Sequence, residues 1–160
     1  MPRPIPATEH AALDAVDLRI LSELTEDGRV TNSALAARVG IAESTCLARV
    51  RSLRERDIVR GIHADVDLAT LGFPIQAVIK VRLGSHNRDH VATFHRALPA
   101  IPGVVRILHV GGEDDYLLQV AVASTQQLRD LVLEHINVHP IVRHTETQIV
   151  FEEMVGAGVL

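Results

Sequence analysis

The sequence predicts an α+β fold in two parts. Three observations point to it: a helical period in the first third, a change of period after Gly61, and alternating strand-like and helix-like segments from there on. With 160 residues, 47% of them hydrophobic and 22% charged, the chain suffices for one medium domain or two small ones. Leu13, Val16, Ile20 and Leu24 recur at spacings of three and four, with Asp14 and Asp17 in the first turn, where carboxylates suit the helix dipole. Asp27-Gly28 closes this first helix. Thr31 is the N-cap expected for a short second helix burying Leu35, Ala36 and Val39, and Gly40 suits the left-handed position after it. A third helix, from Glu43 to about Arg56, buries Cys46, Val50 and Leu53.

Beyond the helices, His63-Ala64-Asp65-Val66-Asp67 alternates like a short strand, and Leu71-Gly72-Phe73-Pro74 marks a hinge. Then come a strand Ala77 to Leu83, a helix His90 to Leu98, a turn Pro99 to Gly103 and a strand Val104 to Val110. The hairpin Gly111-Gly112-Glu113-Asp114-Asp115 leads into a strand Tyr116 to Val122. A helix capped by Ser124, with Gln127 completing a capping box, runs to Ile136, and a last strand spans Val142 to Phe151. The order βαββαβ predicts a ferredoxin-like sandwich, one antiparallel sheet with two helices on one face. A second subunit is the simplest cover for the other face. The expected divisions are a flexible arm 1–12 rich in proline, a helix-turn-helix domain 13–60 of winged-helix-like type, a hinge strand and linker 61–74, the sandwich 75–154 and a tail 155–160.

Composition excludes several functions. Phe73, Phe94, Phe151 and Tyr116 are the only aromatics besides histidine, and there is no Trp, so a single-strand binder that stacks bases is excluded. Cys46 is the one cysteine, so no internal disulfide is available. No apolar run approaches ~20 residues and the first residues form no hydrophobic signal core, so the expected place is the cytoplasm, with no membrane partner. Sixteen basic and 20 acidic residues give a net charge of −4, unlike a protein that coats nucleic acid. Yet Leu47 to Arg60 holds five arginines (Arg49, Arg51, Arg54, Arg56, Arg60) against Glu55 and Asp57.

Two short helices around a glycine turn form the helix-turn-helix pattern. With Cys46, Val50 and Leu53 inward, Ser44, Thr45, Ala48, Arg51 and Ser52 face outward and Arg49 lies on the flank. Small side chains let a helix sink into the major groove of double-stranded DNA, hydroxyls reach base edges or phosphates, and arginines bind guanine or phosphate. The same spacing also describes the solvated face of an ordinary helical bundle, so spacing leaves both open.

Nine histidines raise a metal site, notably His86, His90 and His95, and His135, His139 and His144. His90 and His95 are five apart and share no helix face, and His139 precedes Pro140, so no metal is expected. His109, just before the hairpin, reads as a pocket or interface residue. Catalysis by Glu113, Asp114, Asp115 and His109 lacks a nucleophile with a positioned base, a phosphate-cradling loop or a metal triad, so no enzyme and no catalytic residue is expected. Cys46 reads as a core thiol. A sensor or assembly module that binds no DNA is the remaining alternative.

Four blocks carry a resemblance: Leu13 to Leu21, Leu35 to Ile41, Thr45 to Leu53, and Gly111 to Leu118 (GGEDDYLL). In this order they resemble the leucine-responsive and asparagine (Lrp/AsnC, feast/famine) regulators, over Leu13 to about Met154. The resemblance implies a cytoplasmic transcription regulator that binds double-stranded DNA, dimerises through its sheets, assembles further to an octamer, and takes an amino-acid effector without other cofactor. It places the effector near the hairpin, on Gly111, Gly112, Asp114, Asp115 and Thr147. Glycines let a backbone approach a ligand carboxylate, and Asp115 suits an α-ammonium, although a plain hairpin with exposed acids fits the same residues. Two departures stand out. Ala42-Glu43 replaces the family's Ser/Thr-Pro before the third helix, at a cost of about 0.5–2 kcal/mol unless Glu43 compensates, and Gly61-Ile62 replaces Gly-Tyr.

Overall fold

The structure is a computed structural model that describes residues 13–84, 88–156 and 158–159. The expected arm and His86 lie outside them. Contacts divide the chain into two compact units: one runs to Asp65 and includes the last residues from Gly156, and the other is Val66–Val155.

The first unit contains α1 (Ala15–Glu26), α2 (Asn32–Val39) and α3 (Glu43–Glu55) around Ile20, Leu35, Ala36, Val39, Cys46 and Leu53. Asp14 lies just outside α1 as its N-cap, where it accepts the Asp17 N–H at 2.8 Å, while Asp17 reaches back toward the Asp14 N–H. Thr31 caps α2 through the Ala34 N–H. Gly40 takes the left-handed conformation (φ 78°), so that Gly40 and Ile41 both donate to the Ala36 carbonyl and the chain turns into α3. Ala42 gives α3 no side-chain cap; Glu43 supplies the acidic first turn instead. Val50, expected inside, is only partly buried beside the Cys46–Leu53 stripe.

The second unit holds β1 (Ile75–Leu83), α4 (Arg88–Ala97), β2 (Val104–His109), β3 (Tyr116–Val122), α5 (Thr125–Asp130) and β4 (Val142–Ile149), the predicted βαββαβ order. The antiparallel sheet has the strand order β2-β3-β1-β4. Ala77, Ile79 and Val81 of β1 and Tyr116, Leu118, Val120 and Val122 of β3 share one face with Phe94, Leu98, Leu128, Leu131 and Ile136 from the helical segments. The alternate residues, including Val78, Lys80, Leu117 and Gln119, are only partly buried, and Leu108 on the same side is 48% exposed.

Several expectations need correction. Residues 61–67 form no strand, because a strand needs a neighbour for its N–H and C=O groups and none among the described residues pairs here; turns follow over 68–72. The helix after Ser124 is α-helical only to Asp130, then widens over Leu131–Ile136 into a π-helical segment, in which Asn137 donates to the Val132 carbonyl five residues back. The Gln127 side chain bonds the Ala123 N–H at 2.8 Å rather than the cap residue's own. The last strand stops at Ile149. Two bulges went unforeseen: β2 carries Val105 as an extra residue opposite β3, and β4 carries Arg143 opposite β1.

The helical unit has a small core in which Ile20 is fully buried. Ile20→Ala is expected to destabilise this unit by about 2–5 kcal/mol, measured by urea unfolding of the full chain.

Candidate functional site: the third helix and the hairpin

The pose of α3 is set by polar ties at its start and flank. Asn32, at the start of α2, donates from Nδ2 to the Glu43 carbonyl at 2.9 Å and so joins the first turns of the two helices. Arg38 pairs with Glu23 at 3.0 Å, and Arg19 donates to the Arg38 carbonyl, tying α1 to α2. Arg49 was expected on the DNA-facing flank. Its guanidinium turns instead to α1, with Nη1 at 2.7 Å from Asp14 and 2.8 Å from Asp17. Asp17 is the one buried charged residue among those described, and a buried carboxylate needs such a partner. The Asp14 carboxyl is held below the ordinary carboxylate range, first by the Asp17 backbone N–H and then by Arg49.

What α3 leaves outward is a face of mostly small and polar residues, with Leu47 half exposed beside them. Ser44, Thr45, Ala48 and Arg51 are exposed and Ser52 is partly buried. Arg51 and Arg54 make no ion pair or hydrogen bond among the described residues, so their donors remain available. Burial raises the pKa of the Cys46 thiol, consistent with a core residue.

In the second unit the hairpin between β2 and β3 is fastened to the end of β1. Val110 donates to the Asp115 carbonyl, Asp115 donates to the Val81 carbonyl, and the Asp115 carboxylate accepts the Leu83 N–H at 2.7 Å. Asp115 thus has one oxygen committed to the sheet. Arg82 reaches the same hairpin, with Nη2 at 2.7 Å from Glu113 and 3.6 Å from Asp114. Gly111 and Gly112 are exposed and have nothing near their missing side chains; Gly112, at φ 129°, holds a conformation other residues rarely adopt. Thr147 is exposed on β4 in register with Ile79, across β1 from β3 and two residues from Val81, and one chain does not bring it to the hairpin.

The next residue, Tyr116, is fully buried and anchors the hairpin's outgoing strand. It meets Phe94 edge-on at 5.6 Å and stacks on His109 at 4.6 Å, and its hydroxyl lies 3.2 Å from His95 Nδ1. Burial, aided by Asp115, raises its pKa. Periodicity gave no sign that His95 and His109 meet across Tyr116, because they lie on different elements. Among the described residues no three His, Cys, Asp or Glu gather as metal ligands, and no helix is long and apolar enough to cross a membrane.

A helix-turn-helix unit joined to a ferredoxin-like unit defines a two-domain DNA-binding regulator. The comparisons specify it: residues 76–160 match the model of the Lrp/AsnC ligand binding domain and residues 13–60 that of a winged helix-turn-helix DNA-binding domain. The chain belongs to the Lrp/AsnC family and is a transcription regulator, not an enzyme. It is 42% identical over 148 residues to the regulator AldR of Mycolicibacterium smegmatis, covering 92% of this chain and 86% of that protein. Among solved structures, AldR of Mycobacterium tuberculosis superposes with a TM-score of 0.78 at 36% identity, over 94% of this chain and 99% of that one. A Neisseria meningitidis transcriptional regulator in complex with L-Met gives 0.84 at 30% identity, over 91% and 94%.

Arg49→Ala is expected to lower the melting temperature and leave the salt dependence of DNA binding unchanged. Arg51→Ala should keep stability within about 0.5 kcal/mol and reduce the salt slope by about one. Gel-shift titrations across salt concentrations separate the two. The stabilisation from Asp14 is present above the ordinary carboxylate pKa, about 3.9, and is lost as pH falls through its lower folded-state value. Acid titration of helicity should show Asp14→Asn removing part of that pH dependence.

Proposed function

We propose that this regulator reads operator DNA with the outer face of α3 and that an α-amino acid bound at the β2–β3 hairpin modulates it. The observation that carries the first half is the small, exposed face of Ser44, Thr45 and Ala48 beside an Arg51 without a partner among the described residues. Ser44, Thr45, Ala48 and Ser52 meet the groove, Arg51 meets guanine or phosphate, and Arg49 acts by holding α3 against α1. In a dimer, two such helices enter successive major grooves about 34 Å apart, so half-sites are spaced by roughly one helical turn.

The second half rests on the open glycines and the acids beside them. Gly111 and Gly112 leave the backbone accessible to a ligand, while Asp114 and the free oxygen of Asp115 offer acceptors for an ammonium group. The Neisseria relative solved with L-Met supports a ligand of this class. The partly buried sheet face joins two copies into a dimer, and dimers meet in larger rings, up to an octamer, at the hairpins, where Thr147 of a neighbouring copy completes the site. The protein acts in the cytoplasm. The amino acid favours one assembly over another and so changes which spaced operators are occupied together.

The experiment is a gel-shift titration against DNA upstream of the protein's own coding region, with and without each of the twenty amino acids. Retardation at nanomolar to sub-micromolar protein, altered by at least one amino acid, is expected; no retardation overturns the first half of the proposal, and retardation that no amino acid alters overturns the second. Asp115→Ala is expected to lower stability by about 1–3 kcal/mol as well as the response, because it strands the Leu83 N–H. A thermal melt checks the first effect and calorimetry the second.

A further inference from the structure

Resting on the amino-acid reading above, we infer that Arg82 is the receptor for the ligand's carboxylate and that Glu113 occupies this receptor in the ligand-free chain.

An α-amino acid is a zwitterion, so its site must offer a cation as well as an anion. The hairpin has three carboxylates in succession, Glu113, Asp114 and Asp115, and no cation of its own. Arg82 of β1 is the cation that the fold brings to it. The three acids hold unequal positions. Asp115 is tied to the Leu83 N–H. Asp114 has a side chain 21% exposed and lies 3.6 Å from Arg82 Nη2. Glu113 makes the short contact, 2.7 Å, yet its side chain is 80% exposed.

The guanidinium is also incompletely used. Among the described residues Arg82 Nε is buried and has no hydrogen-bond partner, while Nη2 serves both acids. A carboxylate bound side-on engages Nε and an Nη together, the two-bond mode that Arg favours. Glu113 reaches only Nη2 and leaves the second donor unmet, which is unusual for a buried polar group. A small ligand carboxylate, unconstrained by a hairpin backbone, satisfies both donors once the guanidinium shifts to admit it. Exposed ion pairs are weak, so Glu113 is readily displaced. Asp114 remains beside Arg82 and accepts the adjacent α-ammonium. Glu113 thus acts as an internal competitor that sets the ligand concentration required.

The test is calorimetry of the full-length protein with the twenty amino acids, then, for each that binds, with its α-carboxamide. The parent is expected to favour the free acid over the amide at least tenfold. Arg82→Gln should weaken binding at least tenfold and erase that preference, with Arg82→Lys intermediate. Glu113→Gln should tighten binding at least threefold, an effect no merely structural role for Glu113 produces. Parent-like preference in Arg82→Gln, or unchanged or weaker binding in Glu113→Gln, overturns the assignment. If Arg82→Gln fails to fold, the Glu113→Gln result decides. If no amino acid binds the parent, the effector reading falls first and this assignment with it; if the parent binds and the variants behave as the parent does, only this assignment falls.

Discussion

The Asp115 carboxylate holds the hairpin to the sheet, and the candidate ligand site depends on that bond. A loop of five residues buries too little to place itself. Leu83, at the end of β1, has an N–H that needs an acceptor, and Asp115 supplies it while its own N–H goes to Val81. Tyr116 follows immediately and is fully buried against Phe94 and His109. The outgoing side of the hairpin is therefore fixed, whereas Gly111 and Gly112 on the incoming side have open space where a side chain would stand. A rigid half beside an open half is what a small-ligand site requires, since the fixed half keeps charged groups in place while the open half admits the ligand.

The helical unit solves a related problem with the same chemistry. Three short helices give a small core, from Ile20 to Leu53, and tilting α3 would move the face it presents. Asp14 and Asp17 cap α1 reciprocally and then share Arg49, so one pair of carboxylates closes a helix end and fixes a neighbouring helix. Because Asp17 is nearly buried, removing Arg49 leaves a charge without its partner, which costs more than the pair contributes. Ala42 leaves the first-turn N–H groups of α3 without a side-chain acceptor; Glu43 supplies the acid of that turn, and Asn32 separately ties the Glu43 carbonyl to α2.

Much of the fold was legible because it rests on local signals. Thr31 and Gly40 bound α2 by a side-chain cap and a left-handed turn that are legible within a few residues, and the strand Tyr116 to Val122 reads directly from its apolar run. What escaped depends on partners distant in sequence. His63 to Asp67 has the alternation of a strand, but alternation does not supply a hydrogen-bonded neighbour. The π-helical segment after Asp130 keeps helical spacing, so periodicity misses it. For the candidate site, residue types were readable and allegiances were not. Arg49 looked like a flank cation because the capping pair at Asp14 and Asp17 lies 35 and 32 residues away. Arg82 drew no notice because only the register of β1 against the hairpin gives it a role.

Those allegiances also bear on how much positive charge an acidic chain leaves unpaired. Net charge counts every arginine equally, yet an arginine contributes to phosphate binding only if its guanidinium is free to neutralise phosphate. In the helical unit Arg19, Arg38 and Arg49 are spent on a carbonyl or on carboxylates, while Arg51 and Arg54 on α3 are not. The acids that make the total −4 act in part as internal clamps, so they cancel arginines already paired within the helical unit. Of the eight acids from Asp14 to Asp57, three (Asp14, Asp17 and Glu23) are spent this way. The local field around α3 is therefore set in part by arginines such as Arg51 and Arg54 that are not spent internally, and the sign of the whole chain says little about it.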